Sequence, residues 1–262
     1  MSSVSDYKTE NLFSVKGKVA VITGATGGFG RAAALGLAQA GAKIVATGRS
    51  EAKLKPLVAA IKEAGGEATY SVGTPDVHDD VKSVVAHAVD VYGGIDILLT
   101  SAGYNKPGSI VEQSVEEWDE IMDANVKGTY LFCKEVGKVM IDQGRGGKVV
   151  IVSSARGLLG MANYTAYCPS KGATNLLTKS LACEWGQYRI NVNAIGPTVF
   201  RTELTEWMFN DDAVYKKFLA RIPIGRLGEP EDFIGSVIFL CSKASEFLTG
   251  QIIYADGGYT AG

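Results

Sequence analysis

Seven short runs of β-branched and aliphatic residues, spaced along the chain by longer stretches with apolar side chains at helical intervals, constrain this sequence more than any other feature. The runs are VAVIT (19–23), KIVAT (43–47), ATYSV (68–72), IDILL (95–99), KVVIV (148–152), INVNAI (190–195) and QIIYA (251–255). Near-continuous apolar character over so few residues suits parallel strands covered on both faces. The stretches FGRAAALGLAQAG, EAKLKPLVAAIKEAGG, DVKSVVAHAVDVYGG, VEEWDEIMDANVKGTYLFCKEVGKVMIDQG and AYCPSKGATNLLTKSLACEWG read as helices, most of them ending at glycine. Strand and helix in alternation predict one α/β domain: a doubly wound parallel sheet of about seven strands with helices on both faces.

That domain is expected over 18–262, with 1–17 a loosely held arm before the first strand. The stretch 197–232, PTVFRTELTEWMFNDDAVYKKFLARIPIGRLGEPED, falls outside any strand pattern and is expected to form a small helical lid over the carboxyl edge of the sheet.

Composition narrows the function classes. Hydrophobic residues at 46% and charged residues at 21% fit a globular protein, and no apolar run approaches the length of a membrane span. A net charge of −2 with scattered Lys and Arg argues against nucleic acid as a partner. Four cysteines (Cys133, Cys168, Cys183 and Cys241) show no CxxC spacing, and His78 and His87 are the only histidines, so no metal site is expected. Free thiols and an N-terminus without an apolar or Arg-rich targeting pattern read as cytoplasmic.

The 32 glycines concentrate the argument at one point. VAVITGATGGFGRAAALG joins the first strand to the first helix through Gly24, Gly27, Gly28 and Gly30. Glycine there lets the backbone approach a pyrophosphate, and the helix behind it offers unpaired N–H groups and the positive end of its dipole. The cluster follows a strand and opens a helix, the context a Rossmann-type dinucleotide loop requires. At the end of the second strand, Arg49 stands where an acidic residue would receive the ribose hydroxyls of NAD. An arginine at this point accommodates a 2′-phosphate, which favours NADP(H) and leaves NAD(H) possible; a solvated strand-end charge is the alternative.

YCPSK (167–171) sets a phenol and an ammonium four residues apart, either a reactive pair or one surface turn of a helix. Several motifs in order decide it: TGATGGFG (23–30), Asp76 with Val77, Asn125 in NVKG, Ser154 thirteen residues before Tyr167, and Tyr167 with Lys171. Together they resemble the short-chain dehydrogenase/reductase family from about residue 17 to the end. IPIGRLGEPED and the terminal DGGYTAG are most similar to its gluconate 5-dehydrogenases and 3-oxoacyl carrier-protein reductases.

The resemblance implies a catalytic tetrad of Asn125, Ser154, Tyr167 and Lys171. It implies dinucleotide contacts from Gly24, Thr26, Gly28, Phe29 and Gly30, from Arg49, Asp76, Val77, Ala102 and Gly103, from Tyr167 and Lys171, and from Pro197, Thr198, Val199 and Thr202. Tyr167 would exchange the proton, Ser154 would bind the substrate oxygen, and Asn125 would anchor a water relaying protons from Lys171. A phenol active at neutral pH needs its pKa lowered by ~3, roughly 4 kcal/mol, for which the nearby ammonium is the expected source.

Two departures stand out. Thr100 and Ser101 replace the asparagines of the usual NNAG, and Thr198 stands where glycine is usual after Pro197. Substrate contacts are expected from Arg156, Tyr164, Phe200, Arg201 and Trp207. The two arginines would clamp an anionic group, or else face solvent or a neighbouring subunit.

The expected activity is hydride transfer between NADP(H) and a secondary alcohol or ketone of keto sugar acid, 3-oxoacyl or small hydroxy acid type. A non-catalytic dinucleotide-binding regulator on the same scaffold is the alternative. Relatives in the family are commonly tetramers, and the apolar faces around Asn125 and Tyr167 suit a homotetramer.

Overall fold

β1 (Val19–Thr23), every residue of it buried, runs through the middle of a seven-stranded parallel sheet. The computed structural model describes residues 9, 11–203 and 205–262, without the side chain of Trp207. After β1 come α1 (Gly28–Gln39), β2 (Lys43–Gly48), α2 (Glu51–Glu63), β3 (Glu67–Val72), α3 (His78–Tyr92) and β4 (Ile97–Thr100). The second half contains α4 (Val115–Met122), α5 (Gly128–Gln143), β5 (Gly147–Val152), α6 (Tyr167–Trp185) and β6 (Ile190–Ile195). It ends with α7 (Glu206–Phe209), α8 (Asp212–Leu219), α9 (Pro230–Cys241) and β7 (Ile252–Ile253).

The strand order β3-β2-β1-β4-β5-β6-β7 reverses direction between β1 and β4. Open α/β sheets carry their ligand crevice at such a switch point, outside the carboxyl ends of the strands. Side-chain alternation along β1 sends Ala20 and Ile22 to one face, where Leu37 of α1, Leu57 of α2 and Phe233 of α9 cover them. Val19 and Val21 go to the other, under Val84 of α3, Phe132 of α5 and Trp185 of α6.

Local chemistry sets the helix ends. Gly93 and Gly144 stop α3 and α5 in the left-handed conformation, at φ 77 and φ 64. Pro230 opens α9 behind a capping box of Glu229 and Asp232. In α6, Pro169 lies in the first turn, where its missing N–H breaks no intrahelical bond.

Three expectations change in detail. The long helical stretch from Val115 is interrupted by a π turn over Asp123–Lys127, which holds Asn125. β7 is two residues long instead of the expected 251–255, because the chain bends into a loop held by Asp256, whose carboxylate accepts from Gly258 N and Thr260 N. Of the segment 1–17, residues 1–8 and 10 lie outside the described residues; within the remainder Val15 is fully buried and the Leu12 carbonyl accepts from Ala244 N, while Phe13 and most of its neighbours stay exposed.

Candidate active site

The loop between β1 and α1 closes on itself through glycine. Gly24 adopts φ +59, and a side chain there would put its Cβ 2.7 Å from Ala102 N. A Cβ on Gly30 would collide with the Gly24 carbonyl. Among the described residues no side chain caps the N-terminus of α1, and its first turn holds no acid. Unpaired N–H groups at the positive end of the helix therefore face the carboxyl edge of the sheet beside a backbone stripped of side chains, a cradle for a diphosphate.

Three threonines in register line that edge: Thr23 pairs with Thr47 on β2 and Thr100 on β4. Thr23 Oγ1 accepts from Ser101 N and Ala102 N, at 3.0 and 3.1 Å, which pins the strand end where the usual asparagines are replaced. Thr47 Oγ1 and Thr100 Oγ1 are buried and have no hydrogen-bond partner among the described residues. Orphaned hydroxyls at this depth are costly and mark a place where a polar ligand belongs. Cradle and hydroxyls together fit a dinucleotide.

The other residues expected to touch one lie along the same edge. Thr26 is beside Gly48, and Arg49 follows β2, exposed and with no carboxylate partner among the described residues. Asp76 and Val77 precede α3, and Val77, at 44% exposure, is an apolar surface aimed outward. Phe29 turns into the body instead, its ring 4.8 Å from Phe233 and 5.1 Å from Phe200. The chain after β6 folds back over the cradle: the Pro197 carbonyl accepts from Ala155 N at 2.9 Å, and Thr202 packs directly on Gly28. Thr198 and Val199 connect the two.

Ser154, Tyr167, Lys171 and Asn125 converge at the end of β5. Ser154 follows the strand and its Oγ accepts from Arg156 N at 3.1 Å. Tyr167 is the first residue of α6, and one turn on the Lys171 ammonium lies 5.7 Å from the centre of its ring. Lys171 is buried and donates to the Val152 carbonyl at 2.9 Å. A methyl group on Gly103 would lie 3.2 Å from Asn125 Oδ1 and 3.7 Å from Lys171 Nζ, so glycine keeps this junction open.

The surroundings of Tyr167 and Asn125 bear on their expected roles. Burial pushes the Tyr167 phenol up to about 12, only partly offset by its hydrogen bond with Ser154, and pushes the Lys171 ammonium down to about 8. Loss of solvent around the phenol is the largest effect, and the Lys171 ammonium is engaged by the Val152 carbonyl. Burial favours the protonated form of this phenol.

Asn125 is committed as well. Its Oδ1 accepts from Tyr104 N at 2.7 Å, and its Nδ2 donates to the Tyr104 carbonyl and to Ser170 Oγ, both at 2.9 Å. Its own carbonyl accepts from Thr129 Oγ1 at 2.8 Å. Both amide protons are spent, so the side chain staples the loop after β4 to α6, and only spare lone pairs remain for a water. Ser170, inside the YCPSK motif, was missed as its partner; pairing across 45 residues leaves no local signal.

The expected substrate residues divide. Tyr164 stands edge-on to Tyr167 with centroids 6.1 Å apart, on the rim of the site. Phe200 is 4% exposed and packs its ring against Phe29 instead of facing a ligand. Arg201 is neutralised by Glu206 at 2.8 Å and Glu229 at 3.3 Å and stacks on Phe209, so its charge is spent within the 197–232 stretch. Trp207 lies outside the described side chains. Arg156 stays near the site, donating to Tyr259 Oη at 2.5 Å and to the Gly160 carbonyl at 3.3 Å. A cavity of about 380 Å³ lined by Ile222, Arg226, Tyr254 and Asp256 holds none of Ser154, Tyr167 or Lys171 and is not the reaction site.

Comparison with known proteins places the chain among oxidoreductases of one fold. Residues 24–260 match the family model described as enoyl-(acyl carrier protein) reductase. An uncharacterized oxidoreductase of Mycobacterium tuberculosis is 50% identical over 255 residues, covering 95% of this chain and 93% of the relative. A 2-dehydro-3-deoxy-D-gluconate 5-dehydrogenase of Formosa agariphila is 37% identical, covering 96% of each. Among solved structures, a gluconate 5-dehydrogenase from Burkholderia cenocepacia in complex with NADP and tartrate superposes with TM-score 0.92 at 32% identity, covering 96% of this chain and 98% of that one. A putative 2-deoxy-D-gluconate 3-dehydrogenase from Agrobacterium tumefaciens with bound NADP gives 0.90 at 36% identity, covering 97% and 100%.

Proposed function

This chain belongs to the short-chain dehydrogenase/reductase family, and from that premise we propose an NADP(H)-dependent oxidoreductase acting on secondary alcohols and the corresponding ketones. The single observation that carries the reading is the meeting of Ser154, Tyr167 and Lys171 beside a glycine-lined, uncapped helix N-terminus. The dinucleotide supplies or accepts the hydride when bound. The residues that would hold it are Gly24, Thr26, Gly28 and Gly30 at the diphosphate, Arg49 at the 2′-phosphate, and Asp76 and Val77 at the adenine. Ala102, Gly103, Lys171, Pro197, Thr198, Val199 and Thr202 would hold the nicotinamide half.

The chain's own residues handle the oxygen and its proton. Ser154 donates a hydrogen bond to the substrate carbonyl oxygen and draws negative charge onto it. Tyr167 gives that oxygen its proton in the reductive direction and takes it back in the oxidative one. Deprotonating so buried a phenol requires a cation, and Lys171 is the buried ammonium one turn away. Asn125 holds Tyr104 and Ser170 in place around that turn. Oxidation of NADPH by a panel of ketones, read as loss of the reduced-nicotinamide absorbance, tests the reading; NADPH binding with no turnover on any ketone or alcohol would instead indicate a regulator.

A homotetramer is part of the proposal. A groove of about 530 Å³ between the π turn, α5 and α6 is lined by Met122, Val126, Tyr130, Leu176 and Leu177, with Leu176 at 66% exposure. Burying it against a second copy of the chain removes that apolar surface from water. Sedimentation giving a tetramer is expected, and a clean monomer would count against it. The cytoplasm is proposed as its compartment on the four free cysteines.

A further inference from the structure

The lid carries three arginines and neutralises two of them. Arg201 is held by Glu206 and Glu229, and Arg226 by Asp232. Arg221, just past α8, has no carboxylate partner among the described residues; its guanidinium sits over the Tyr259 ring, 4.4 Å from the centre. Arg156, two residues after Ser154, approaches the same ring at 5.2 Å and is likewise without a carboxylate partner among the described residues. Tyr259 itself is 1% exposed. The tail's carboxylate, Asp256, is spent on Gly258 N, Thr260 N and Thr260 Oγ1.

Two like charges therefore converge on one buried ring, neither of them paired with a carboxylate among the described residues. The ring face offsets part of their repulsion. What remains is a field that an anion would satisfy. Arg156 is also preorganised: Tyr259 Oη and the Gly160 carbonyl fix its plane with two of its five N–H donors, leaving three uncommitted. Its charge reaches the reactive phenol, on which it acts to lower the pKa. The lid, the tail and the turn after Ser154 meet in the apolar cluster around Tyr259 with Ala155, Ile222 and Leu227.

We propose that Arg156 and Arg221, gathered by Tyr259, form an oxyanion-binding subsite beside Tyr167 that selects ketone and alcohol substrates bearing a carboxylate, sulfonate or phosphate. The subsite rests on the oxidoreductase reading of the same centre. A guanidinium fork matches such groups in two parallel hydrogen bonds, and pairing across the lid places one of the two cations on a segment that can adjust to the substrate.

Matched pairs test it: 3-oxobutanoate, 4-oxopentanoate and 5-oxohexanoate against their methyl esters, each reduced with NADPH by the wild type, by Arg221→Gln and by Arg156→Gln. For at least one chain length the acid is expected to exceed its ester in kcat/KM by about tenfold, carried mainly by KM. Arg221→Gln should collapse that ratio towards one, with Arg221→Lys recovering part of it. Arg221 lies just past the end of α8 and is not part of the turn bearing Ser154, so it serves if Arg156→Gln fails to fold. Esters reduced as well as acids, with a ratio that Arg221→Gln leaves alone, would overturn the subsite and leave the oxidoreductase standing. If no ketone is reduced, saturation-transfer NMR of 4-oxopentanoate and its ester decides the subsite separately. Binding of the acid alone, lost in Arg221→Gln, supports it, and equal or absent binding rejects it.

Discussion

Lys171 places its ammonium 5.7 Å from the centre of the Tyr167 ring, one turn further along α6, and both groups are displaced by burial in opposite senses. The phenol is driven towards its neutral form and the amine is eased towards losing its proton. The buried ammonium is costly to maintain in a folded chain at neutral pH, which is expected of a group retained for chemistry.

That cost is measurable. Lowering Lys171 from the ordinary lysine value to about 8 corresponds to about 3 kcal/mol of destabilisation while the group stays charged. Between pH 8 and the unfolded value the unfolded chain binds more protons, so this group's contribution to stability rises with pH across that window. Lys171→Met should be more stable than wild type at pH 7 in urea unfolding, with the advantage shrinking steadily up to about pH 10. An advantage independent of pH would show that the amine is not buried as a cation.

Asn125 should matter first to folding. Removing its three side-chain hydrogen bonds by Asn125→Ala leaves Tyr104 N, the Tyr104 carbonyl and Ser170 with lost partners, a cost of about 2–4 kcal/mol. Thermal unfolding should register it with or without dinucleotide. A fully stable variant that has only lost turnover would return Asn125 to the water-anchoring role.

Gly24→Ala sets a methyl group against Ala102 at a φ that alanine avoids. The expected result is at least about 2 kcal/mol of destabilisation together with NADPH binding weakened by about tenfold or more. Calorimetry of both quantities checks it, and unaltered binding would mean that the loop does not cradle the diphosphate.

Arg49→Ala should weaken NADPH by about tenfold or more while moving NADH little, since under the proposed function its charge would serve only the 2′-phosphate. Titration of the reduced dinucleotides by fluorescence distinguishes this from an equal loss on both, which would place Arg49 elsewhere.

Strand identity was legible wherever a run is buried on both faces, as in VAVIT and INVNAI, because no other element tolerates so short a continuous apolar stretch. The edge strand was less so: QIIYA pairs on one side only, and its end is decided by a loop around Asp256. Helical spacing cannot show a π turn, so the register that turns Asn125 inward was invisible. YCPSK was readable since its partners sit on one helical face. The state of that pair was not, because burial by the whole fold, and not the four-residue spacing, sets the two pKa values. Arg221 and Tyr259 escaped for a related reason: they meet Arg156 only in the folded chain, and separations this long leave no periodicity to detect.

The central claim is that the Tyr167 hydroxyl carries the proton. Tyr167→Phe removes that oxygen alone, and the most direct test sets its NADPH-dependent ketone reduction beside its NADPH affinity. The account predicts turnover reduced by about a thousandfold or more with affinity within a few-fold of wild type; a variant that reduces ketones at near the wild-type rate while binding NADPH normally would contradict it.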